Sequence, residues 1–377
     1  MELLNIGIKR ILCVCQKSKI ADWLNQYKDN YSIKVYDLTK DVSGFIVERE
    51  KCVGVINYDL LIRREALKSV SNFVLMLDES SLIQNDKSKR CKFIMDLLPS
   101  AVILLSGTPG KYEKLWTQCR LLNWDISKTQ YENRYINYDL RDFHVGFPIK
   151  VLNKENPYRN VDDLKRRLRE HGAIFKKTEE VIDLPPQNFI DIKVNNTSEY
   201  REYLRDRVIK INDDELVGDH TFRHYLYKRL LCSVYNDNKI EALKDLMEST
   251  DDRLVIFYNW DKELKLLRDI CKKLDRPISE MNGHIKDLTN YEKYSDSVTL
   301  VHFASGAMGI NLQLANKIIY FTPTDKSENY AQSIKRIHRI GQNSPCFYYR
   351  LIVRASIEEK IYESLERQED FKDYLFV

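Results

Sequence analysis

The sequence has no Cys-x-x-Cys pair among its eight cysteines, and that spacing is what a zinc site or a redox motif normally needs. The thiols are scattered, and Cys13 and Cys15 sit inside an apolar run where both would point to one face of a strand. A disulfide framework is therefore not expected, and a reducing, cytoplasmic compartment is (that of the host cell, if the source is viral). No apolar run reaches the roughly 18 residues of a membrane span, so no membrane partner is expected. The first residues lack a secretory apolar core with a cleavage site. Strong charge of either sign is also missing: 60 basic against 56 acidic side chains leave a formal net charge of +4. Any basic groove must come from local arrangement rather than bulk charge. No internal repeat and no low-complexity tract stands out. What remains, 43% hydrophobic and 31% charged over 377 residues, is a globular chain long enough for two or three domains.

The stretch from Val298 to Gln342 is the most informative. An apolar run, Val298 to Phe303, reads as a buried strand. A small-residue turn follows with Ser305, Gly306, Gly309 and Asn311. A second apolar run, Lys317 to Phe321, ends at Pro323. A helix-like segment then carries Gln332, Arg336, His338, Arg339 and Gln342. Strand, glycine turn, strand and a segment ending in two arginines can deliver guanidinium groups to a phosphate. Ser305-Gly-Ala-Met-Gly-Ile-Asn-Leu-Gln-Leu-Ala315, then Gln332-Ser-Ile-Lys-Arg-Ile-His-Arg-Ile-Gly-Gln342, resembles motifs V and VI of the SNF2 family of superfamily 2 helicase-like ATPases. The downstream Tyr349-Arg-Leu-Ile352 and Ser356-Ile-Glu-Glu-Lys-Ile361 continue that pattern.

Taken from the start, Arg10 to Cys15 has the continuous apolar character of a parallel strand buried on both faces. Lys17 and Ser18 follow, leading into a helix with Trp23. This resembles the family's motif Ia, whose loop touches DNA phosphates. Ser18 as a helix N-cap with Lys17 beside it suits that role, and a plain N-cap serine suits the residue type equally. Asn57-Tyr58-Asp59 resembles the element preceding the acidic motif. Phe73 to Leu77 then runs into Asp78-Glu79, the pattern of a strand whose carboxyl end points acids into a cleft. The resemblance implies that Asp78 holds Mg²⁺ through water and that Glu79 polarises the attacking water. Alone, an Asp-Glu step also fits a helix-initiating pair. Ser81 stands where the family more often has His, which puts coupling to motif III in doubt. Val102 to Leu105, then Ser106-Gly-Thr108-Pro, resembles motif III, whose hydroxyls on Ser106 and Thr108 would couple the acidic motif to the DNA surface.

The expected fold is α/β: two RecA-like parallel-sheet lobes with helical insertions, the first lobe incomplete at its N-terminus. Residues 1–184 would form the first lobe, 185–235 a helical link after Pro185-Pro186, and 236–377 the second lobe. The resemblance implies an ATP-dependent translocase on double-stranded DNA, similar to compact bacterial and phage members. ATP and Mg²⁺ would be its cofactors, with Arg336 and Arg339 stabilising phosphoryl charge and Gly306, Gly309 and Gln332 beside the nucleotide. Lys17, Ser18, Ser305 and Asn311 would face DNA.

One element that such an ATPase needs is not in the sequence: Gly-x-x-x-x-Gly-Lys-Ser/Thr, whose backbone N–H groups and lysine hold the β and γ phosphates. Gly110-Lys111 is the sole Gly-Lys step, and Tyr112 follows it. The missing strand, loop and helix would take roughly 30 residues or more. Three explanations stand open: a loop supplied by a separate polypeptide, a truncated reading of a longer protein, or lost hydrolysis with retained DNA binding. An unpaired sheet edge invites a partner, which favours the first two.

Overall fold

The computed structural model describes residues 7–107, 111–141, 148–153, 155–175, 183–211, 214–306 and 310–367. The chain divides into two compact units, at 176/177. The first is built on five parallel strands: β1 (Arg10–Cys15), β2 (Lys34–Asp37), β3 (Cys52–Asn57), β4 (Phe73–Asp78) and β5 (Ala101–Leu105). Their order across the sheet is β2-β3-β1-β4-β5. The continuous apolar runs explain the central position of β1, β3 and β4, because a strand covered on both faces can carry apolar residues at every position. On one face Ile11, Cys13, Cys15, Val53, Val55, Val74 and Met76 pack with Tyr27, Trp23 and Leu24 of the helix Ile20–Asn30. On the other, Leu12, Val14, Leu75 and Leu77 pack with Phe45, Leu61, Ile83 and Ile94. Burying each such side chain contributes about 1.5–3 kcal/mol. All eight cysteines are buried and free, and burial pushes the Cys13 thiol well above its ordinary range.

The sheet's two edges differ. β2 is short and carries Lys34, which pairs with Glu48 and Glu50 at 3.0 Å each. β5 is Ala-Val-Ile-Leu-Leu, only partly covered along its length, with Leu105 38% exposed.

After β5 the chain makes an insertion with its own core of Leu115, Cys119, Trp124, Tyr131, Tyr135, Leu164 and Leu168. Its helix Lys128–Tyr135 starts at a capping box, Ser127 with Gln130. A hairpin of β6 (Tyr138–Arg141) and β7 (Ile149–Leu152) and the helix Val161–Glu170 complete it.

The second unit centres on a seven-stranded sheet. Its strands are β8 (Gln187–Val194), β11 (Leu254–Tyr258), β12 (Ile278–Met281), β13 (Lys286–Asp287), β14 (Val298–His302), β15 (Lys317–Tyr320) and β16 (Cys346–Val353). They lie in the order β13-β12-β14-β11-β15-β16-β8, parallel apart from the short β13. The stretch expected to link the lobes thus supplies the edge strand β8, in register with β16 from Gln187↔Cys346 to Val194↔Val353. It also contains the helices Ser198–Asp206 and Thr221–Cys232 and a hairpin of β9 (Val208–Ile211) and β10 (Asp214–Val217).

Candidate active site: two clusters at the ends of parallel strands

The acidic pair sits at the carboxyl end of β4. Asp78 is the last residue of the strand, opposite Leu105 of β5, and Glu79 adopts a left-handed backbone with φ of 55° and ψ of 58°. That conformation costs a non-glycine residue of order 1 kcal/mol and clusters at functional sites. It turns the chain sharply into the short helical segment Ser80–Ile83. Ser106 Oγ, just past β5, lies 3.4 Å from Glu79 Oε2. Two aromatic residues complete the cluster. Trp23 Nε1 donates to Asp78 Oδ2 at 2.9 Å, and Tyr58 Oη donates to the Asp78 carbonyl at 2.9 Å. Burial, with Asp78 adding, drives the Tyr58 phenol far above its ordinary range. Trp23 and Tyr58 carry no signal in composition or spacing; only the strand order brings them to Asp78.

Among the described residues no group of three or more His, Cys, Asp or Glu side chains could hold a metal. One carboxylate with an oxygen already engaged by Trp23 suits Mg²⁺, which keeps several waters and relies on substrate phosphates.

Lys17 and Ser18 are both exposed after β1. Ser18 is not the helix N-cap expected from sequence. Lys17–Lys19 form a 3₁₀ turn that runs directly into the helix, and Lys19 occupies the cap without a side-chain bond. Ser18 therefore lies inside the turn, its neighbours already curled. Thr108 lies outside the described residues.

In the second unit Ser305 and Gly306 fall in the helical turn Phe303–Gly306 after β14, while Gly309 lies outside the described residues. The helix expected to carry Gln332, Arg336 and Arg339 ends at Ile334. Residues 336–342 are successive turns, closed by Gly341 at φ +95° and fastened by non-local acceptors. Gln342 Nε2 donates to the Ala315 carbonyl at 2.8 Å, and His338 Nε2 lies 2.8 Å from the Pro185 carbonyl. This path brings both arginines onto the loop after β14. Arg336 Nη1 donates to the Ile310 carbonyl at 3.3 Å, and the Arg336 carbonyl accepts from Leu312 N–H at 3.0 Å. Arg339 Nη1 donates to Asn311 Oδ1. Desolvation lowers the Arg339 pKa from its ordinary value. Gln332 is buried and reaches Glu328 at 3.4 Å; its Oε1 meets no donor among the described residues. The first four residues of one cluster (Trp23, Tyr58, Asp78, Glu79) and the arginine pair of the other are thus each gathered within their own unit.

A family model described as the SNF2-related domain matches residues 5–242, well over half of the chain. The chain belongs to the SNF2-related family. A second model, the helicase conserved C-terminal domain, matches residues 238–341, which include both arginines. The two sheets are accordingly the RecA-like parallel-sheet lobes of that family, with helical insertions. A mouse relative, SWI/SNF-related matrix-associated actin-dependent regulator of chromatin subfamily A member 1, is 23% identical over 93% of this SNF2-related chain and 37% of its own length. The mouse DNA repair and recombination protein RAD54B is 21% identical over 94% of the chain and 48% of its own. The chain thus spans less than half the length of either relative. Among solved structures, the Sulfolobus solfataricus SWI2/SNF2 ATPase core in complex with dsDNA is 20% identical, covering 100% of this chain and 83% of that one with a TM-score of 0.43. Among the described residues no helix is long and apolar enough to cross a membrane.

Proposed function

We propose that this SNF2-related chain is the compact core of an ATP-driven translocase on double-stranded DNA, and that turnover needs a phosphate-binding loop not contained in its 377 residues. The observation that carries this reading is the cluster at the end of β4. An Asp-Glu pair is held by an indole at 2.9 Å and a hydroxyl at 3.4 Å, where ligands of open parallel sheets bind. Bound Mg·ATP would supply the phosphoryl group and its charge neutralisation. Asp78 is assigned to the metal's water shell and Glu79 to orienting the attacking water. Arg336 and Arg339 are assigned to the developing phosphoryl charge, and Gly306, Gly309 and Gln332 to the nucleotide's surroundings. Ser106 and Thr108 would couple that site to DNA, which Lys17, Ser18, Ser305 and Asn311 would contact.

A second reading is favoured by one fact of sequence, the absence of Gly-x-x-x-x-Gly-Lys-Ser/Thr. Without that lysine the γ-phosphate charge is poorly neutralised, and loss of one such group costs orders of magnitude in rate. A DNA-binding subunit that has lost turnover fits that absence.

Duplex-stimulated ATP hydrolysis by the purified chain, with Glu79→Gln as control, separates the readings. Stimulated turnover abolished in the variant supports a working motor and removes the need for an added loop. Salt-sensitive duplex binding without turnover fits either an incomplete motor or a binding subunit. Absence of duplex binding sinks both.

A further inference from the structure

We propose that Asn282 is a self-modification site: the backbone nitrogen of Gly283 displaces its side-chain amide and leaves aspartate and isoaspartate in the turn between β12 and β13. Asn282-Gly283 is the sole Asn-Gly step in the sequence. Such a step usually serves a tight hairpin by supplying two positive φ angles. Neither residue has a positive φ here, so backbone conformation does not demand glycine. What glycine does provide is an unobstructed nitrogen, because without a Cβ a neighbouring group can approach its backbone closely.

The amide is held at both ends. Asn282 Oδ1 accepts from His284 N–H at 2.9 Å and from Ile285 N–H at 2.8 Å. Two such donors stabilise the charge that develops on a carbonyl oxygen under attack. At the other end Asn282 Nδ2 donates to Glu280 Oε2 at 3.4 Å, and Arg268 fixes Glu280 through two bonds of 2.6 Å. Attack by Gly283 N on Asn282 Cγ forms the C–N bond of a cyclic succinimide while charge collects on Oδ1. The Cγ–Nδ2 bond then breaks, and the Gly283 N–H proton leaves with that nitrogen as ammonia. Solvent water, which reaches the exposed Gly283, opens the ring at either carbonyl to give aspartate or isoaspartate.

The surrounding strand offers little resistance. β13 has two residues at the sheet edge and pairs with β12 through Glu280↔Asp287 and Met281↔Lys286, so a small local opening is enough. The products act back on the same place. Aspartate at this position loses the donor to Glu280 and sets a second carboxylate beside it. Isoaspartate adds a methylene to the backbone. That breaks the 2.8 Å bond from Asn282 N–H to the Ile285 carbonyl and shifts the register, so β13 is released from the edge of the second sheet.

Incubation of the purified full chain at neutral pH and physiological temperature tests this, with conversion read by peptide mapping and isoaspartate by enzymatic methyl transfer. A synthetic peptide of residues 275–290 and the Gly283→Ala chain accompany it. Asn282 in the folded chain should convert at least as fast as in the peptide. It should also convert at least about tenfold faster than Asn343, which Ser344 follows. Both aspartate and isoaspartate should form. Gly283→Ala, which the φ of that residue allows, should slow conversion by about tenfold or more. In the isoaspartate fraction, amides of residues 284–287 should exchange about tenfold faster than in the unaged chain. An intact Asn282 in the folded chain while the peptide converts overturns the proposal. Aspartate without isoaspartate, the mark of direct hydrolysis by water, also overturns it and needs no variant to fold. Conversion of folded Gly283→Ala at the parent rate overturns it too, since the freedom of the attacking nitrogen would then not matter. Unchanged exchange in the isoaspartate fraction overturns the release of β13.

Discussion

The indole of Trp23 donates to Asp78 Oδ2 at 2.9 Å across a sequence separation of 55 residues. The two meet because β1, which precedes the Trp23 helix, pairs directly with β4 in parallel. One carboxylate oxygen is thereby fixed. Trp23→Phe keeps the ring and removes the N–H. Its expected cost is about 0.5–1.5 kcal/mol, since half-buried Asp78 can turn to water. Trp23→Ala also loses the packing against Tyr27, stacked at 5.8 Å between centroids, and should cost about 3–5 kcal/mol. Urea unfolding of the three proteins checks this; equal losses in the two variants would show that ring packing contributes nothing.

The central strands were legible from sequence for a simple reason. β1, β4, β14 and β15 are continuous apolar runs, and burial on both faces leaves no other home for them. β8 was not legible. Phe189 and Ile190 remain 47% and 37% exposed, and what makes the segment a strand is an eight-residue register with β16, some 159 positions away. The acidic pair and the two arginines could be named from motif resemblance. Trp23 and Tyr58 lie in stretches that also resemble the family, but their contacts with Asp78 could not be read, because those hydrogen bonds depend on strand order rather than local pattern. The turns at residues 336–342 escaped for a related reason. Their acceptors, the carbonyls of Ala315 and Pro185, lie far away in sequence, so helical spacing of the arginines pointed to a helix that stops at Ile334.

Gly54 in β3 marks a close approach that only hydrogen permits. A Cβ there would meet Leu38 Cδ1 at 2.6 Å and Phe45 Cδ2 at 2.9 Å, and both neighbours are fully buried. Gly54→Ala should destabilise the first unit by about 1–3 kcal/mol through overpacking. The denaturation midpoint measures it, and Gly54→Ala combined with Leu38→Val should recover part of the loss if the clash is with Leu38.

Lys239 and Glu358 form an ion pair at 2.6 Å with side chains 0% and 1% exposed. The second carboxylate oxygen accepts from Val353 N–H at 3.0 Å. Burial pushes the Glu358 carboxyl up, and the Lys239 ammonium opposes that push. The direct 2.6 Å contact favours the ionised pair. Breaking it from one side leaves a buried charge, so Lys239→Met should cost about 3–5 kcal/mol. Lys239→Met with Glu358→Gln removes both charges and keeps an acceptor for Val353. The double variant should be more stable than Lys239→Met alone; costs that simply add would show that the two charges are not coupled.

Asp163, about a quarter exposed, anchors the insertion. It accepts from Tyr135 Oη at 2.8 Å and pairs with Arg166, Arg134 and Arg167. The Tyr135 hydrogen bond, followed by the arginines, holds its carboxyl down at about 2. The unfolded chain's aspartate titrates near 3.9, so between those values the unfolded state binds more protons. The contribution of Asp163 to stability is therefore full above about pH 4 and is lost as pH falls towards 2. Asp163→Asn should be less stable than the parent at neutral pH, with a smaller difference at the acid end of this window. Thermal unfolding of both proteins from pH 5 downward checks the sign; parallel curves would mean that the carboxylate is not held down by these partners.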